Sequence, residues 1–131
     1  MDAANAERED RNVSDLVEVV ARQDRSVPVC ELRGELDASN VDRVQTALLD
    51  CVTKDVPGLV LDLTDTSYLD SAGVRILFDL ARRLRARRQE LRLVVPPDGV
   101  VRRVLVLTAL ADVVPVDEET DDAVRALRAR R

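Results

Sequence analysis

The sequence predicts an α/β fold: a single mixed or mostly parallel β-sheet of about four to five strands packed with about four α-helices. Three observations carry this. Short, nearly unbroken apolar runs, Leu59 to Leu63 and Leu91 to Val95, have the make-up of strands covered on both faces. Between such runs the apolar residues recur at steps of three and four, the period of a helix buried along one stripe. Pro57-Gly58 and Pro96-Pro97 stand where one pattern must stop and the other begin. With 131 residues the chain suffices for one domain with a proper core and is too short for two ordinary ones.

Residues 1–12, including "MDAANAERED", have little apolar content and no period, so they are expected to form a disordered tail ahead of a domain spanning 13–131. "DLVEVVARQ" and "SVPVCELRG" are valine-rich segments around the polar break "QDR", which fits a hairpin. After Gly34-Glu35-Leu36-Asp37 the period changes. Val41, Val44, Leu48 and Cys51 or Val52 define an amphipathic helix over about 39–54, with Ser39 or Asn40 placed to cap it. "LVLDL" is the next strand, and a helix follows from Ser71, with Val74, Leu77, Ala81 and Leu84 as its stripe and Ile76 and Leu80 widening it.

The end of that helix, "ARRLRARR", holds five arginines. Arginines near a helix C-terminus complement its dipole, so solvated surface is the expected reading rather than a patch for nucleic acid or acidic lipid. "ELRLVV" is another buried strand. "DGVVRRVLVL" reads as a short helix capped near Asp98, "DVVPV" as a final strand weakened by Pro115, and "EETDDAVRALRARR" as a terminal helix with acids first and arginines last.

Composition removes several function classes. Without histidine there is no Ser-His-Asp triad, no histidine phosphorelay and no imidazole metal ligand, and Cys30 and Cys51 alone cannot complete a structural zinc site. They are expected to be buried apolar thiols. Tyr68 and Phe78 are the only such rings in a chain with 2% aromatics, and the net charge is −5, so direct nucleic-acid binding is not expected. No apolar stretch approaches the roughly 18 residues needed to span a bilayer, and the acidic N-terminus is unlike a signal peptide. A cytoplasmic protein, without membrane contact, is expected.

Polar groups collect where strands give way to helices: Asp62, Asp65, Thr66, Ser67, Asp70 and Ser71 in one place, Glu35 and Asp37 in another. In open α/β sheets functional groups collect at the carboxyl ends of strands, which would set these two turns side by side. Asp62 and Asp65 do not have the two-residue spacing of dehalogenase-like phosphotransferases, and the first strand lacks the acidic pair of a receiver domain. Mg²⁺ binding by these carboxylates stays open, although acids on exposed turns more often form the turn itself. The four glycines do not form a phosphate loop. What remains is a hydroxyl that the chain offers rather than activates. Ser71 lies on a helix-starting turn with little bulk beside it at Ala72 and Gly73. Serine is a favoured N-cap, the commoner role; a phosphate there would add about −1.5 to −2 charge, and the residues alone leave both readings open.

Taken in order, "LRGELD" and its helix, "LVLDLTDTSYLDSAGVRIL", "LRLVVPPDGVVRRVLVLTAL" and "DVVPV" resemble the STAS domain of bacterial anti-sigma-factor antagonists, over about residues 13 to 128. The resemblance implies the STAS fold and a non-enzymatic partner switch that needs no cofactor. The unphosphorylated antagonist would capture an anti-sigma factor with serine kinase activity, releasing a sigma factor; phosphorylation would end the complex and a PP2C-type phosphatase would restore it. Carried over by position, the phosphoacceptor is Ser71, and the partner-binding residues are Asp37, Asp70, Ser71, Ala72, Gly73, Val74 and Arg75. Ala72 stands where many relatives carry a second hydroxyl, and Ala109 and Ala111 where glycine and an aromatic are frequent. A second reading within the resemblance is a STAS scaffold or signalling subunit of a larger complex that does not switch by phosphorylation.

Overall fold

The computed structural model describes the backbone of residues 8–14 and 17–130 and the side chains of 17–130. Residues 8–12 do not belong to a disordered tail. They lie in β1 (Arg8–Ser14), antiparallel to β2 (Val17–Asp24), so the ordered domain begins before residue 13; residues 1–7 fall outside the described residues. An edge strand is held by backbone hydrogen bonds and tolerates charge, which is why "REDRNVS" carries no hydropathy signal.

Next comes the predicted hairpin. β2 pairs with β3 (Val27–Leu36) from Val17 opposite Gly34 to Asp24 opposite Val27. The two turn residues are Arg25 and Ser26, slightly beyond the expected break, and both have positive φ (50° and 69°), the hand that a two-residue hairpin loop requires.

On its other side β3 pairs in parallel, first with β4 (Gly58–Asp62) and then, further along, with β5 (Thr66–Leu69). β6 (Glu90–Val94) lies beside β4, and β7 (Val116–Asp117) beside β6, both parallel. The sheet has seven strands among the described residues, in the order β1-β2-β3-β4-β6-β7 with β5 against β3. β1 and β5 exceed the expected number. "TSYL" went unrecognised because Ser67 and Tyr68 between its ends are exposed.

Four helices follow: α1 (Val41–Asp50), α2 (Ser71–Ala86), α3 (Val100–Leu107) and α4 (Thr120–Arg128). α1 is shorter than predicted, ending at Asp50 with Cys51 as its C-cap. α3 starts at Val100 with Gly99 at its N-cap, and no side chain caps it. Beyond α3, Ala109 adopts φ 62°, the left-handed conformation that glycine takes freely, and a 3-10 turn at Leu110–Asp112 leads to β7.

Alternation along the strands divides the core. Cys30, Leu32, Leu59, Leu61, Leu91 and Leu93 share one cluster with Val44 and Leu48 of α1, Leu77 and Leu84 of α2, and Leu105 of α3. Val27, Val29, Val60 and Val94 meet Ala123, Val124 and Leu127 of α4 on the other face. Strands covered on both faces have no polar side to display, hence their continuous apolar sequence. Arg82 and Arg83 are exposed and pair with Asp79 on their own helix, so part of the arginine cluster is solvated surface. Cys30 is buried and Cys51 half-buried, both as thiols. Among the described residues no helix is long and apolar enough to cross a membrane.

Candidate functional site

Parallel pairing of β3 with β5 sets Leu36 opposite Leu69, so the turns that follow them, 37–40 and 70–73, emerge side by side. Hydrogen bonds then join the turns. The Asp70 amide donates to the Leu36 carbonyl at 3.2 Å, and the Ala38 amide donates to Asp70 Oδ2 at 3.1 Å. Asp70 Oδ1 accepts from the Gly73 amide at 2.9 Å with extended backbone at φ −95° and ψ −174°, the geometry of an N-cap.

The cap of α2 is therefore Asp70, and Ser71 is the first helical residue. Adjacent Asp and Ser are both competent caps, and only the backbone angles decide between them. Ser71 is exposed. The serine and threonine hydroxyls of residues 64–67 are engaged: Thr64 Oγ1 donates to Asp62 Oδ1 at 2.6 Å, Thr66 Oγ1 to the Leu32 carbonyl at 2.6 Å, and Ser67 Oγ to the Gly34 carbonyl at 3.2 Å. Among the described residues, nothing bonds to the hydroxyl of Ser71.

The 37–40 turn is tied internally. Asp37 Oδ1 accepts from the Ser39 amide (2.9 Å) and from Ser39 Oγ (2.5 Å). Asn40, only 1% exposed, does not cap α1 with its side chain. Its Oδ1 accepts from the Asp37 amide and its Nδ2 donates to the Glu35 carbonyl at 2.9 Å, so it clamps the turn from beneath. Spacing alone could not separate clamp from cap.

Gly73 allows the close approach of α2 to β3. A Cβ there would lie 2.9 Å from the Leu36 carbonyl oxygen and 3.2 Å from Leu36 Cγ. Val74 is 7% exposed and packs in the core, beneath the surface formed by Ser71 and Arg75. Ala72 is half-buried and Arg75 exposed.

Beside Ser71 the groove between α1 and α2 encloses about 390 Å³ and is lined by Val41, Ala72, Ile76 and Phe78 among others, with Arg75 and Arg82 adding charge. Gln45 Nε2 spans the two helices to Asp79 Oδ2 at 2.6 Å. That bond, with those from its own arginines, holds the Asp79 carboxyl below the usual carboxylate range against the opposing effect of burial. Sequence reasoning did not find this groove, because nothing in the stripe of either helix states which two helices pack together.

Asp62 serves its own turn, accepting from the Thr64 amide at 2.9 Å as well as from the Thr64 hydroxyl. Among the described residues no group of three or more Cys, Asp or Glu side chains is placed to hold a metal ion.

The family model of the STAS domain matches residues 18–123. A Mycobacterium tuberculosis protein named anti-sigma-F factor antagonist RsfA is 30% identical over 120 residues, covering 87% of this chain and 90% of that protein. A Listeria monocytogenes protein named anti-sigma-B factor antagonist is 34% identical over 83 residues, covering 63% of this chain and 72% of that protein. The crystal structure of an anti-sigma factor antagonist from Mycobacterium paratuberculosis superimposes with a TM-score of 0.76 at 26% identity, over 90% of this chain and 99% of that one. The seven-stranded mixed sheet, its four helices and the matched length all agree: the chain belongs to the STAS domain family.

Proposed function

We propose that this protein is a non-enzymatic anti-sigma-factor antagonist whose binding is switched at Ser71. The observation that carries the switch is the unbonded, exposed hydroxyl at the start of α2, in a turn where the neighbouring carboxylate does the capping. Its relatives' names support the class of partner.

The partner is an anti-sigma factor with serine kinase activity. In the transfer step Ser71 Oγ attacks the γ-phosphorus of ATP held by that kinase. The bond from this phosphorus to the oxygen of the leaving ADP breaks, and the hydroxyl proton passes to a base of the kinase. Hydrolysis of the phosphoserine ester by a PP2C-type phosphatase regenerates the hydroxyl and releases inorganic phosphate.

Local structure tolerates the added charge. Of the first four α2 amides, that of Asp70 is taken by Leu36 and that of Gly73 by the Asp70 carboxylate, leaving those of Ser71 and Ala72 for a phosphate. The fold persists while the surface, already bearing Asp37 and Asp70, gains about −1.5 to −2 charge. A partner fitted to a neutral serine is then repelled.

Calorimetry with the kinase-type anti-sigma factor tests this reading. Unmodified protein and Ser71→Ala should bind it alike, while protein carrying phosphoserine at position 71 should bind at least about tenfold more weakly, a difference of about 1.4 kcal/mol. Equal affinity of the modified and unmodified forms would overturn the switch and favour a scaffold role.

A further inference from the structure

Arg75 stands four residues after Ser71 on the same face of α2, exposed, and among the described residues it has no acidic partner. Arg82 and Arg83, later on the helix, are both engaged by Asp79. We propose that Arg75 binds the phosphate of phosphorylated Ser71 within the same chain, so that modification adds an anion and also withdraws a guanidinium from the partner-facing surface.

Helix geometry favours the contact in two ways. Residues i and i+4 are neighbours, about 5–6 Å apart at Cβ, and the pair is better when the anion is N-terminal to the cation. Side chains on a helix also lean toward its N-terminus, which carries the arginine back over the first turn where Ser71 sits. Guanidinium and phosphate match as a two-pronged, charge-assisted pair.

Competing carboxylates do not remove Arg75 from this role. Asp70 spends one oxygen on Gly73 and the other on Ala38, and Asp37 is bonded by Ser39. Asp79 is held by Gln45 and its own arginines. Asp42, on the α1 side of the groove, is a single charge against a phosphate of about −1.5 to −2.

This inference rests on the reading of Ser71 as a phosphoacceptor, but its test needs no kinase. Phosphoserine is placed at position 71 by ligation or codon reassignment, and its second ionisation is followed by phosphorus NMR at low salt. With Arg75 present, the titration midpoint should lie about half a pH unit below that of Arg75→Gln, because a nearby cation favours the dianion. Arg75→Lys should recover part of the shift, and Arg85→Gln, near the other end of α2, should titrate like the parent. The difference should shrink at about 1 M salt. Coincident midpoints for the parent and Arg75→Gln, or an equal shift in Arg85→Gln, would overturn the pairing. A kinase that never modifies Ser71 would instead defeat the functional reading and leave this result standing.

Discussion

Two consecutive turns with their flanking residues, 62–67 leading from β4 into β5 and 70–73 leading from β5 into α2, both set an aspartate beside hydroxyl residues and use them in opposite ways. In the first, Asp62 closes on Thr64, Thr66 donates to the Leu32 carbonyl and Ser67 to the Gly34 carbonyl, so each hydroxyl is committed to the fold. In the second, Asp70 takes the structural work, capping α2 and reaching across to Ala38, and Ser71 is left with its hydroxyl uncommitted. A serine becomes available for chemistry when a neighbour performs the function it would otherwise serve. Accessibility is thus set by the division of labour between adjacent residues, not by the polarity of the segment.

Gly73 offers the strongest way to break the second turn. Ala at this position gains up to about 1 kcal/mol of helix propensity, yet its Cβ meets a backbone oxygen at 2.9 Å that cannot move without shifting β3. Overpacking of this kind costs about 1–3 kcal/mol, so Gly73→Ala should be net destabilised in urea unfolding by about 1–2 kcal/mol. A smaller effect sharpens the comparison directly. Asp70→Ala should lose about 1 kcal/mol with the cap, whereas Ser71→Ala should stay within about 0.5 kcal/mol of the parent, as an exposed residue without structural bonds does. If Ser71→Ala were the more costly of the two, the division of labour would be reversed.

The same comparison shows what a sequence exposes. β4 and β6 were legible because burial on both faces leaves an apolar run, and the stripe of α2 because one face meets the core. β1 and β5 were not, since β1 is polar and β5 alternates only once between buried ends and exposed middle, and what holds such strands is backbone pairing. Side-by-side placement of the 37–40 and 70–73 turns was expected from the habit of α/β sheets, but the strand order that achieves it depends on long-range pairing of β3 with β5. The position of Ser71 at a strand-to-helix turn was readable; that Asp70 rather than Ser71 caps the helix depends on backbone angles that no residue type dictates. Asn40, one of the two expected positions, does stand at the N-cap of α1, but its side chain clamps the preceding turn instead of bonding the helix amides. Val74 was expected both in the buried stripe of α2 and, by resemblance, at its partner-facing start, and its side chain packs in the core.

Phosphosite mapping sets the two turns against each other in one experiment. The protein is incubated with its kinase-type anti-sigma factor and ATP, and the modified residue is located by tandem mass spectrometry. One phosphate is expected, on Ser71, and none on Thr64, Thr66 or Ser67. Phosphate on any of those three, with Ser71 unmodified, would contradict the assignment.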